Sequence, residues 1–256
     1  MVRRLGGMTM KYLLPWALAL AVAVLSLSAQ GEEVTLIGPG GVRAPVTELI
    51  PEFERRTGYK VKATFGSGGG TKQQVIKGEP FDVPIVQPPL DEVIASGHVV
   101  AGSQTPLATV PVVLAVLKGQ PKPDISTPNA VRKVLLEARA VSFPNPAGGA
   151  AAGVSVMAML EKLGIADQVK AKVKYGQLGL VASREVEVGM TFQSEINEPG
   201  IDVVGVLPRE LITPTALVGF VSAHAKSPGG ARALLAFLSS PEAAATYRKL
   251  GMQPGR

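Results

Sequence analysis

Lys60-Val61-Lys62-Ala63-Thr64-Phe65, then Gly66-Ser67-Gly68-Gly69-Gly70, then Thr71-Lys72-Gln73-Gln74-Val75-Ile76-Lys77 is the stretch whose reading decides the fold. Its first part alternates, placing Val61, Ala63 and Phe65 on one face, which is the period of a half-buried strand. The middle part carries almost no side chains and breaks the chain. The last part reads as a helix. A strand, a glycine-rich turn and a helix in immediate succession form half of a βαβ unit, and so predict a parallel sheet with crossover helices.

The same rhythm runs outward in both directions. Upstream, residues 34–37 read as a strand, Gly38-Pro39-Gly40-Gly41 as a break, and residues 44–56 as a helix. In that helix Val46, Leu49, Ile50 and Phe53 stand at helical spacing, and Gly58 sits where a left-handed C′ residue ends a helix. Downstream, residues 82–87 read as a strand and 90–96 as a helix. Residues 110–117 look like one long apolar strand. Then follow a polar loop, a helix at 129–138, a strand at 140–143, and a Gly/Pro/Ala loop leading into a helix that ends at Leu163. Strands are predicted at 173–175, 188–192, 203–206 and 217–223, and a helix at 180–186. Two helices close the chain, at 229–238 and 241–250, the second with Ser240 as N-cap and Pro241 at its first position. The strand–turn–helix unit occurs in both halves, which predicts an α/β protein of two similar lobes.

The chain has 256 residues, 46% hydrophobic and 18% charged, enough for ample cores and inconsistent with disorder. Arg3, Arg4 and Lys11 precede an apolar run at 12–27, and the small residues Ser26, Ser28 and Ala29 stand at its end. This is the layout of a secretory signal peptide, expected over residues 1–29 and directing the rest to the periplasm. There is no cysteine, so disulfides and anchoring through an N-terminal lipidated Cys are excluded. Three of the 26 basic residues and none of the 20 acids lie in the expected signal, leaving a mature charge of about +3. That charge is too small and too scattered for a nucleic-acid binder.

Three strand-to-helix turns are nearly bare backbone: Gly38-Pro39-Gly40-Gly41, Gly66-Ser67-Gly68-Gly69-Gly70 and Ala147-Gly148-Gly149-Ala150-Ala151-Ala152-Gly153. In an α/β sheet such turns lie at the C-terminal strand ends, where ligands bind. Free N–H groups and the macrodipole make each helix start a place for an anion. Arg43 and Lys72 fall in first turns, where a cation opposes the macrodipole unless an anion sits beside it. Catalytic patterns are scarce. There is no P-loop, no nucleophile elbow and no metal-ligand spacing, and no cofactor is expected. His98 and His224, the only histidines, lie far apart in sequence and read as separate surface residues. Glu185 and Glu187 read as surface charge. Glu195, after Gln193-Ser194 at the end of a buried strand, is better placed for a site.

Several stretches together resemble the molybdate-type substrate-binding proteins of ABC transporters. They include Val34-Thr35-Leu36-Ile37-Gly38, Phe65-Gly66-Ser67, Ile76-Lys77-Gly78-Glu79-Pro80-Phe81-Asp82, Val188-Gly189-Met190-Thr191-Phe192 and Phe237-Leu238-Ser239-Ser240-Pro241-Glu242-Ala243-Ala244. The resemblance implies the type II periplasmic binding protein fold: two Rossmann-like lobes joined by a hinge, with crossings near Pro111 and Ala216. One lobe would take residues 30–110 and 215–256, the other residues 111–214. It implies a monomer that captures a small anion between the lobes and passes it to a membrane ABC permease. Ligand-facing positions would be Gly40, Gly41, Arg43, Ser67, Gly68, Gly69, Thr71 and Lys72 in one lobe. Ala151, Ala152, Gly153, Phe192, Gln193 and Glu195 would face the ligand from the other. Where the family usually offers hydroxyls, this chain has Gly41, Gly68, Gly69 and Phe192, so the amide cradle is kept and most hydroxyl donors are gone. Lys122-Pro123-Asp124-Ile125-Ser126-Thr127-Pro128 and Gln193-Ser194-Glu195-Ile196 are similar to a divergent branch that includes periplasmic aconitate isomerases. An isomerase needs a base to move an allylic proton, and Glu195 is the candidate.

Overall fold

Pro111 divides what reads as one apolar run into two strands belonging to different sheets. The structure is a computed structural model that describes residues 31–255, so the expected signal peptide lies outside the described residues. Before the proline runs β4 (Thr105–Val110), and after it β5 (Val112–Leu117). β4 pairs antiparallel with β10 (Thr215–Gly219) and β11 (Gln253–Pro254), whereas β5 pairs antiparallel with β8 (Val188–Phe192) and β9 (Ile201–Val206). Proline has no N–H to give a ladder, so pairing stops there and the chain changes sheets. The chain returns through residues 207–214, since Leu207 N–H still donates to Val112 O at 3.0 Å and Thr215 already pairs with Val110.

The first sheet has the order β11-β4-β10-β3-β1-β2, with β1 (Glu33–Pro39), β2 (Lys60–Gly66) and β3 (Val83–Val86) parallel to one another. The second has the order β7-β6-β8-β5-β9, with β6 (Val141–Phe143) parallel to β7 (Val173–Tyr175) and to β8. Both sheets are therefore mixed: the predicted parallel pairing holds for β1, β2, β3 and for β6, β7, β8, and antiparallel strands are added to it. The strands joined by crossover helices are parallel, and the strands flanking the two sheet crossings are antiparallel.

The helices lie where apolar spacing put them, but those that follow the first two glycine turns begin earlier. α1 (Gly40–Thr57) starts inside the first glycine turn, and α2 (Gly68–Ile76) starts inside the second. Without Cβ atoms these turns wind directly into helix. Gly58 ends α1 at φ 79°, a left-handed cap whose N–H bonds Glu54 O. α3 (Asp91–Ala95), α4 (Pro128–Glu137) and α5 (Ala151–Lys162) follow. The short α6 (Ala166–Lys170) carries too few apolar positions to show a period, and α7 (Gly179–Ala182) covers only part of the helix expected at 180–186. α8 (Pro228–Leu238) and α9 (Pro241–Lys249) close the chain, and Ser240 caps α9 by accepting from Ala243 N–H.

The core explains these placements. Val42, Val46 and Phe53 of α1 are fully buried beside Val34 and Leu36 of β1. Val141, Phe143, Val156 and Leu160 fill the corresponding space under α5. Among the described residues no helix is long and apolar enough to cross a membrane.

Candidate functional site

Three bare turns meet at the C-terminal ends of β1, β2 and β6 and enclose a cavity of about 230 Å³. Pro39, Gly40 and Gly41 line it from the start of α1, and Gly66, Ser67 and Gly68 from the start of α2. Across from them stand Pro144, Ala150, Ala151 and Ala152 at the start of α5. Neither α1 nor α5 has a side-chain N-cap, and none of the three helices has an acid in its first turn. The first N–H groups of α1 and α5 thus lack a side-chain cap and carry the positive end of the macrodipole, whereas in α2 Ser67 Oγ accepts from Gly70 N–H.

Gln87 sits at the end of β3, in the wall between the turns. It is 4% exposed, and its Nε2 has no partner. A Cβ on Gly68 would meet its Oε1, so the bare backbone there lets the amide pack against the turn. A buried amide without a partner costs about 1–3 kcal/mol. That cost is removed if an acceptor enters the cavity.

Glu195 supplies the opposite charge. It lies in a 3-10 turn after β8, and its Oε1 is 2.9 Å from where a Cβ of Gly40 would stand. Thr191 Oγ1 donates to its Oε2 at 2.8 Å. The residue keeps some exposed surface, yet its carboxyl group is deep enough that desolvation dominates. Burial pushes the Glu195 carboxyl above its ordinary value, against the lowering effects of the Thr191 hydrogen bond and the Arg43 charge.

The two halves of the site touch directly. Gly69 N–H donates to Gly149 O at 3.0 Å, and Ser194 Oγ donates to Gly41 O at 2.8 Å. The Phe192 ring packs 3.2 Å from the Cβ position of Gly41.

The cavity brings together eight of the expected positions: Gly40, Gly41, Ser67, Gly68, Ala151, Ala152, Phe192 and Glu195. Gly69 and Lys72 line a neighbouring cavity of about 400 Å³ that shares Gly68, Gln87 and Ala151 with the first. There Lys72 Nζ donates to Pro89 O at 2.8 Å, and burial lowers its pKa.

Four expected positions line neither cavity. Arg43 stacks 5.0 Å over the Phe65 ring and reaches the site only through its field on Glu195. Thr71 is buried and donates to Gly38 O at 3.3 Å. Gly153 is a packing glycine, because a Cβ there would overlap Pro144 O. Gln193 points away, onto Gly251.

Gln87, Gln177 and Pro144 line the cavity without having been singled out. A polar residue at the end of a strand and just before Pro88-Pro89 was a usable signal for Gln87. A larger cavity of about 560 Å³ lies against Val188, Arg139 and Glu187, at the start of β8. It meets none of the three turns.

The chain is similar to aconitate isomerase from a Pseudomonas species, 31% identical over 247 residues that cover 93% of this chain and 94% of that one. It is similar to the molybdate-binding protein ModA of Azotobacter vinelandii, 27% identical over 243 residues covering 91% and 94%. The solved periplasmic molybdate-binding protein of Azotobacter vinelandii superposes with a TM-score of 0.70 at 19% identity, covering 86% of this chain and 98% of that one. That likeness establishes the two-lobed periplasmic binding protein fold. The family model for bacterial extracellular solute-binding proteins matches residues 34–253. The chain is a member of the bacterial extracellular solute-binding protein family.

Proposed function

We propose that the protein captures a small carboxylate anion in the cavity between the three turns and hands it to a membrane ABC permease from the periplasm. The observation that carries this reading is the unpartnered, buried Gln87 amide beside two uncapped helix starts. Together they offer an array of N–H donors and a positive potential with nothing in the protein to satisfy them. An anion with several acceptor oxygens completes the site.

A carboxylate fits better than a tetrahedral oxyanion. Few side-chain hydroxyls face the cavity, because glycine, alanine and Phe192 occupy the other positions. Protonated, the Glu195 carboxyl donates a hydrogen bond to an anion in the cavity. The test is a thermal-shift screen of the mature protein against molybdate, sulfate and mono-, di- and tricarboxylates, since a ligand of the native state raises apparent stability. Carboxylates should raise the melting temperature most. A response confined to molybdate would reverse the assignment.

The Glu195 geometry favours a second reading, isomerisation of an unsaturated tricarboxylate such as aconitate. A carboxyl with a raised pKa, held by Thr191 at the cavity wall, is suited to take an allylic proton from one carbon and return it to another. Incubation with cis-aconitate and chromatography for trans-aconitate separates the readings. Turnover lost in Glu195→Gln with binding retained would identify an enzyme, and unchanged substrate would identify a carrier.

A further inference from the structure

His98 and His224 lie 126 positions apart in the chain, yet His98 Nδ1 is 2.8 Å from His224 Nε2. They are the only histidines, and the chain has no cysteine. We propose that this pair binds a single divalent transition-metal ion, Cu(II) or Ni(II), at a site remote from the anion cavity.

The backbone holds the two residues in place. Ala223 N–H donates to His98 O at 2.9 Å, and Val99 forms an isolated β-bridge with Ser222. Ser96 Oγ accepts from His98 N–H, and Ser222 Oγ accepts from His224 N–H. The His98 ring lies on Gly78, where a Cβ would come within 2.8 Å of Cε1. The backbones of the two residues are therefore fixed side by side, and the rings reorient from that fixed base. It lies at the start of β3, where Ser222 N–H bonds Asp82 O, whereas Gln87 and the cavity lie at the end of that strand.

Ligand type and affinity order select the metal. Two imidazole nitrogens bind divalent first-row ions in an order that peaks at Cu(II), and imidazole suits copper and nickel. The 2.8 Å approach of the two nitrogens brings both within reach of one ion. Each ring must turn by about 45° so that its lone pair leaves the N···N line and meets the shared ion. His224 is exposed and the rings are already tilted by 41°, so the turn is open to it. The metal takes the place of the proton shared by the two rings. Among the described residues no third His, Cys, Asp or Glu joins the pair, so water completes the coordination.

Calorimetric titration of metal-stripped mature protein with CuCl2, NiCl2 and ZnCl2 tests this. One ion should bind per chain, Cu(II) most tightly, with zinc weaker than both. His98→Gln and His224→Gln should each weaken binding by roughly tenfold or more, because loss of an orienting partner alone costs that much. Both variants should keep the metal-free melting temperature and the response to carboxylates. Copper binding unchanged in both variants, zinc bound more tightly than nickel, or no binding by the parent would overturn the proposal.

Discussion

Gly69 and Gly149 close the mouth of the site on each other, with the N–H of the first bonded to the carbonyl of the second at 3.0 Å. A Cβ on Gly69 would stand 3.3 Å from the Cα of Gly149, so the contact depends on two bare backbones. One glycine belongs to the first turn of α2 and the other to the loop before α5.

Gly69→Val wedges these turns apart. Gly69 has ordinary helical geometry, so the substitution should leave the fold intact and remove the glycine penalty in α2. Affinity for the anion should fall by about tenfold or more, the worth of one lost hydrogen bond with its closure contacts. Calorimetric titration beside a thermal melt measures both quantities. Unchanged affinity would show that the Gly69–Gly149 contact plays no part in binding.

Gln87→Leu should move stability and binding in opposite directions. Replacing the unpartnered buried amide with an apolar group of similar size should stabilise the ligand-free protein by about 1–3 kcal/mol. Anion affinity should drop because a donor is gone. Urea denaturation and ligand titration of the same variant give the two signs. A variant that is both less stable and fully competent in binding would remove Gln87 from the site.

Lys72→Met probes the annex. Lys72 lines the second cavity and reaches Pro89 O, so a ligand longer than one carboxylate meets its ammonium there. Affinity for dicarboxylates and tricarboxylates should fall by roughly tenfold to 150-fold, the worth of a charge-assisted bond. Affinity for a monocarboxylate such as acetate should stay at the parent's level. Equal losses for both ligand classes would place Lys72 at the primary anion position instead.

Glu195 gives the site a pH dependence of known sign. Its carboxyl titrates above the ordinary value of 4.5 because it is desolvated. The native state therefore holds this proton over a pH range in which the unfolded chain has released it. Stability from this group is fully present below about 4.5 and is lost as pH rises through the raised native value. Glu195→Gln should flatten that part of the stability–pH curve. In the parent, anion affinity should strengthen as pH falls through the same range, because the neutral carboxyl no longer repels the ligand. A Gln variant with the parent's pH profile would contradict the assignment.

Local signals were legible in the sequence and tertiary ones were not. Gly58, Ser240 and Pro241 marked helix ends because caps depend on neighbouring backbone alone. The three bare turns announced the cavity for the same reason. Periodicity did not mark Pro111, because the apolar run around it is continuous; the resemblance placed a crossing near it, and the strand pairing puts Val110 and Val112 in different sheets. β11 is two residues held by β4, too short for any periodic pattern.

Among site residues, Gly153 and Gly41 look alike in sequence. One avoids Pro144 and the other lines the cavity, and only the partner across the gap decides which. Gln193 and Glu195 are two positions apart and point to different places. The meeting of His98 with His224 depends on the Val99–Ser222 bridge and left no trace in spacing.

The most direct test of the central claim is a side-by-side calorimetric titration of the ligand-stripped mature protein with cis-aconitate, succinate and molybdate. The account predicts saturable one-to-one binding of a carboxylate, weakened in Gln87→Leu, with molybdate binding less tightly. Tight molybdate binding with no carboxylate response, or carboxylate binding indifferent to Gln87, would contradict it.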